Sequence, residues 1–139
     1  EDDRQALIEG LSDGTLDAVA SNHRPEDIEH KQLEFSLAAY GMIGLESAFG
    51  VARTATKDKV PLDRLIDAFA IAPRKVLGLE LPRIEVGAEA ELTVYAPDDT
   101  WSLQADHLRS RSRNTPYIGR QFTGKPVAVV RGKAHYRIP

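Results

Sequence analysis

Ser21, Asn22 and His23 close a short apolar run, Leu16, Ala18, Val19 and Ala20, and Glu26, Glu29 and His30 follow within a few positions. In α/β folds functional side chains gather at the carboxyl ends of strands, so a hydroxyl, an amide and an imidazole at this point are placed for chemistry. The same residue types also satisfy backbone groups at a strand-to-loop turn, and composition leaves both readings open. Glu26 and His30 would share one face of a helical turn, and with His23 and Glu29 they offer the oxygen and nitrogen donors that zinc takes. The spacing lacks the paired-histidine helix motif of zinc hydrolases, so these residues by themselves predict no metal site.

Arg109, Arg111 and Arg113 alternate with Ser110 and Ser112, a pattern that suits either phosphate tracking or a solvated edge. One nearby aromatic residue, Tyr117, and a net charge of −3 favour the edge and predict no nucleic-acid partner. His107 and His135 have no evident partners and read as ordinary surface or strand residues. Gly41 and Gly44 do not follow a strand directly, and neither a P-loop nor a dinucleotide fingerprint is present.

These residues must be held by elements that the hydrophobic pattern outlines. Asp2 and Asp3 precede Ala6, Leu7, Ile8 and Leu11, an acidic start to a helix ending near Ser12 to Gly14. Leu16 to Ala20 reads as a buried strand, and Arg24 to Ala39 as a loop with one helical turn around Glu26 to Lys31. Met42, Leu45, Phe49 and Ala52 predict a helix from about Gly41 to Lys57. Pro61 suits the start of another, carrying Leu62, Leu65, Ile66 and Phe69, and Pro73 the start of a third that Gly78 closes. After Pro82 the texture turns to β: Leu92 and Val94 alternate with Thr93 and Tyr95, and Val127 to Val130 with Ala134 to Ile138 flank Arg131, Gly132 and Lys133 as a hairpin. A boundary near Leu81 to Arg83 divides the chain into units 1–82 and 83–139.

The 139 residues, 42% of them hydrophobic, suffice for one domain or part of a larger one. No apolar run approaches the roughly 20 residues that span a bilayer, so no membrane is expected. The absence of cysteine removes disulfides, thiolate nucleophiles and cysteine zinc sites, and fits a reducing, cytoplasmic location. A chain that opens on Glu1 without an initiator Met reads as a segment of a longer polypeptide. A lone buried strand with helices also lacks sheet partners, so the first part reads as the last βα unit of a larger α/β domain.

The runs Arg4 to Leu11, Asp17 to Pro25, Tyr40 to Glu46, Ala72 to Leu79, Arg83 to Val94 and Ser110 to Tyr117 together resemble the carboxyl-terminal third of dihydroorotases of the long bacterial form, in the amidohydrolase superfamily. The resemblance implies an α/β fold: the end of a zinc-bearing (β/α)8 barrel, with Asp17 to Ser21 as its last strand, and the closing strands of a flanking β-sandwich. It implies reversible cyclisation of carbamoyl aspartate to dihydroorotate in pyrimidine biosynthesis. The zinc ligands would lie upstream of Glu1, so the chain alone should hold no metal centre and be inactive. It also implies a homodimer, with the amino-terminal remainder as a further partner.

Relatives end the last strand Asp-His-Ala-Pro-His, where this chain has Asn22–His23–Arg24–Pro25–Glu26. By resemblance Asn22 stands for the Asp that shuttles a proton, and Glu26 for a His that donates to the substrate carboxylate. An amide cannot ionise near neutral pH, and a carboxylate opposes an anion. Arg24, in place of a small residue, could compensate, and Gly41 keeps the position whose backbone meets the substrate ring. Three functions follow as expectations: a dihydroorotase, a non-catalytic homologue assembling with aspartate transcarbamoylase, or a hydrolase of other cyclic amides.

Overall fold

The computed structural model describes residues 1–138; the last residue of the expected 83–139 unit lies outside them. Helix α1 (Asp2–Asp13) ends at Gly14, whose φ of 89° closes it in the left-handed region. After α2 (Ile28–Lys31), the helix predicted from Gly41 begins later, as α3 (Ala48–Thr56). Gly41 has φ +105° and Met42 is engaged in a parallel bridge with His23, so neither joins a helix. Gly44 O then receives the amides of Ser47 and Ala48, a turn that starts α3.

The two helices expected at Pro61 and Pro73 form one continuous rod. It consists of α4 (Leu62–Ile66), a π turn (Asp67–Ile71) and α5 (Ala72–Val76). Pro73 has no N–H and its ring crowds the preceding turn; the wider π turn, with Ala72 N–H reaching back to Asp67 O, carries the helix past it. Gly78 closes the rod as expected, with Leu79 N–H on Arg74 O at 2.8 Å.

A three-stranded antiparallel sheet of order β1-β2-β3 follows: β1 (Glu91–Ser102), β2 (Gln121–Arg131) and β3 (Ala134–Arg137). The hairpin at Gly132 and Lys133 is where the sequence places it, with Arg131 opposite Ala134. β1 and β2 run further than expected, because irregularities in register at Val94/Tyr95 and Ala96/Thr100 absorb Pro126 and Pro97, which cannot donate to a ladder.

Helix α3 packs on β2 and divides two cores. On one side Ile43, Leu103, Leu108 and Phe122 are buried with Trp101 and Tyr117; on the other, Ile8, Val60 and Leu65 with Phe49 and Phe69. Gly50 permits the approach, since a Cβ there would lie 3.0 Å from Trp101 and 3.1 Å from Phe122. Phe49 meets Phe69 and Tyr95 edge-on at 5.7 and 5.2 Å. Burial raises the Tyr95 phenol above its ordinary pKa, against the opposing pull of Arg53.

Candidate functional site

The segment bearing Asn22 is anchored from below by Arg64 on α4. Its guanidinium donates to Leu11 O at 2.9 Å, to Leu16 O at 2.5 Å and to the Asp67 carboxylate at 2.7 Å. Val19 N–H reaches Ala68 O, a carbonyl on the π turn, at 3.0 Å. The predicted strand Leu16–Ala20 forms no ladder among the described residues. Its groups are held by the helical rod and by Gly10 O, since no strand runs beside it.

At its upper end the chain reverses at Asn22, φ 44°, a conformation that Asn tolerates better than most side chains. The next residues zip onto the Gly41–Leu45 segment. Arg24 N–H donates to Met42 O at 2.9 Å, and His23 Nδ1 accepts the amides of Gly44 and Leu45, each at 3.2 Å. That geometry leaves the hydrogen of a neutral ring on Nε2. Gly44 can serve only as glycine here, because a Cβ would stand 2.7 Å from the backbone oxygen of Ser21.

Arg24 and Gly41 are in direct contact. A Cβ on Gly41 would lie 2.7 Å from Arg24 Cβ and 2.9 Å from its Cδ. The exposed arginine thus lays its stem across the glycine. Glu26 lies just before α2 and its Oε2 stands 3.8 Å from His30 Nδ1, so the two groups approach each other as expected but not along one helical face. Glu29 is exposed, and no three His, Asp or Glu groups converge on a metal position among the described residues. His23 Nδ1 is already occupied by backbone donors, so these residues do not fit a zinc ion.

The Arg109–Arg113 run, read as a solvated edge, is a bracket around this corner. Two of its three cations are engaged within the fold: the Arg109 guanidinium lies 5.0 Å from the centre of the Tyr136 ring, and Arg113 Nη1 donates to Ser112 O at 3.2 Å and to Ser110 O. Glu46 fixes the start of the run by accepting Arg109 N–H at 2.7 Å and Ser110 N–H at 3.0 Å. Three polar residues hold this corner in ways that their local sequence does not mark. Ser112 Oγ contacts Glu26 O at 2.6 Å and accepts Glu26 N–H at 3.3 Å. Asn114 Nδ2 donates to Arg24 O at 2.9 Å and Gly41 O at 3.3 Å, while its main-chain oxygen accepts Ile43 N–H at 3.1 Å. The third is Glu46. The available signal was the short hydrogen-bonding side chains at 110, 112 and 114 beside a proline, a composition that binds backbone more readily than phosphate. His107 sits 3.9 Å from Asp106 on the wall of a separate cavity of about 310 Å³ that Phe49, Trp101 and Val129 also line.

The chain matches no family model. It is 35% identical over 138 residues to the dihydroorotase of Geotalea daltonii, covering 98% of this chain and 32% of that protein. It is 38% identical over 130 residues to the dihydroorotase of Chlorobaculum tepidum, covering 92% and 30% respectively. The chain therefore spans about a third of the length of these relatives. Among solved structures, an L-hydantoinase (dihydropyrimidinase) from Arthrobacter aurescens superposes with a TM-score of 0.81 at 26% identity, over 93% of this chain and 30% of that one. A D-hydantoinase (dihydropyrimidinase) from a Thermus species shares the fold with a TM-score of 0.82 at 24% identity, over 96% and 31%.

Proposed function

From a chain that belongs to the dihydroorotase family over about a third of its relatives' length, we propose a protein that keeps the ring-binding corner of that family and has lost its proton carrier. In this reading residues 1–82 complete a (β/α)8 barrel and residues 83–139 contribute strands to a β-sandwich. The amino-terminal remainder supplies the other barrel strands and any zinc ligands. Exposed Phe35, Leu37, Tyr40, Ile84 and Val86 are apolar surface that such a remainder, or a second subunit, would cover. No helix among the described residues is long and apolar enough to cross a membrane, which is compatible with a cytoplasmic setting.

The observation that carries the proposal is the contact of Arg24 with Gly41 beside Asn22. It joins the two segments that the family resemblance assigns to the substrate. The Gly41 backbone would meet the ring, and the Arg24 cation would answer its carboxylate. Glu26, 3.8 Å from His30, stands by resemblance for the second histidine of the family. Ring opening and closing require a proton to move at the ring nitrogen, and the Asn22 amide cannot carry it. Loss of a positioned general base lowers rates by about 10²–10⁴. The role left to the protein is binding and assembly, for which aspartate transcarbamoylase is the proposed partner.

The test is hydrolysis of dihydroorotate and the reverse cyclisation by the full-length protein in zinc-supplemented buffer, beside an Asn22→Asp, Glu26→His double variant. Turnover by the variant alone is expected. Fast turnover by the unaltered protein refutes the loss of chemistry, and turnover of neutral or cationic ring amides alone would make it a hydrolase of another substrate class.

A further inference from the structure

Three backbone segments meet at the proposed binding corner, and none of them is part of a regular element: Arg24 to Glu26, Gly41 to Ile43, and the loop carrying Ser112 and Asn114. We infer that Ser112 and Asn114 form a clamp that positions Arg24 and Gly41 against each other, so that Asn114 is a positioning residue for whatever ring the corner binds. The inference rests on the functional reading above for the ligand, but on geometry alone for the clamp.

The Asn114 amide spans the seam. One Nδ2 group donates to a carbonyl on each side, Arg24 O and Gly41 O, from 90 and 73 residues away in the chain. That pattern orients the amide and turns Oδ1 toward Ser112 and Glu26 N–H, the latter at 3.5 Å. The single Ser112 hydroxyl proton is shared between Glu26 O and Asn114 Oδ1, and its oxygen takes Glu26 N–H. Asn114 O then secures Ile43, the buried residue that roots this corner in the core. Each contact on the binding side is to main chain, so the clamp sets where backbone and Cα atoms lie without contributing a group to the site itself. Lys31 adds a second hold on one side only, donating to Ala39 O and Gly41 O at 2.6 and 3.2 Å. Among the described residues, only the 112–114 loop reaches both segments with side-chain hydrogen bonds.

Replacing Asn114 by Asp keeps its volume but presents oxygen to both carbonyls, whereas Ser112→Thr keeps the hydroxyl. A packing role would be preserved by Asp; a hydrogen-bonding clamp would not. The experiment compares Asn114→Asp, Asn114→Ala and Ser112→Thr in the full-length protein by amide hydrogen exchange and by calorimetric binding of dihydroorotate. Loss of two such hydrogen bonds predicts exchange faster by about tenfold or more at Arg24, Glu26 and Ile43 in both Asn114 variants. Amides of β1 and β2 and the melting temperature should be little changed, Kd for dihydroorotate should rise about tenfold, and Ser112→Thr should stay near the unaltered protein. Exchange at these amides within twofold of the unaltered protein, or faster exchange with unaltered Kd, overturns the assignment. If the unaltered protein does not bind dihydroorotate, the ligand reading fails, and the exchange comparison by itself decides whether the clamp exists.

Discussion

Gly41→Ala tests the packing of the corner, and the structure separates its cost into two parts. At φ +105° an L side chain is strained, by about 1–3 kcal/mol. The new methyl would also stand 2.7 Å from Arg24 Cβ and 2.9 Å from Cδ, an overpacking penalty of about 1–3 kcal/mol. Together they predict a loss of about 2–6 kcal/mol, read from urea unfolding of the full-length protein. The steric part alone depends on residue 24. Arg24→Gly removes every atom that the methyl would strike, so the double variant should regain about 1–3 kcal/mol as a coupling term. Arg24→Ala keeps the Cβ, the nearest atom, and should regain much less. Destabilisation below about 0.5 kcal/mol, or equal rescue by alanine and glycine at residue 24, would refute the described contact and with it the approach of the two segments.

Arg64→Met removes the guanidinium that holds Leu11 O, Leu16 O and Asp67, and partners left unsatisfied in a part-buried setting predict a loss of about 2–4 kcal/mol, with faster amide exchange at Val19. The Asp13 carboxylate is held below its ordinary pKa of 3.8 by the Thr15 backbone N–H first and by the Thr15 side chain second. Thr15→Ala should therefore return it only partway, as followed by carboxyl NMR titration. Because the folded value is depressed, the stability linked to Asp13 is present above the unfolded pKa and is lost as pH falls through the folded one. A Thr15→Ala protein with an unchanged Asp13 titration would contradict this order of causes.

Much of the secondary structure follows from local signals. The left-handed glycine after α1, the closure at Gly78 and the hairpin at Gly132 are each dictated by one glycine's backbone freedom, and the helix start at Pro61 by proline's fixed φ. The family was also legible, because ordered runs such as Ser110 to Tyr117 resemble it, and dihydroorotases 35% and 38% identical over most of the chain agree. Local signals failed where a distant partner set the backbone. The helical spacing from Met42 is real, but Met42 is claimed by His23 and Gly41 by the stem of Arg24, so α3 starts only at Ala48. Pro73 does open α5, but its pattern cannot show that a π turn joins that helix to α4 without a break. The Arg109–Arg113 run is the exposed loop edge that its alternation suggests, but the alternation says nothing of Glu46 or of the carbonyls at 24, 26 and 41. Residue types and local conformation are properties of neighbours along the chain; which backbone groups Ser112 and Asn114 satisfy depends on contacts 73 to 90 residues away, which only folding brings together.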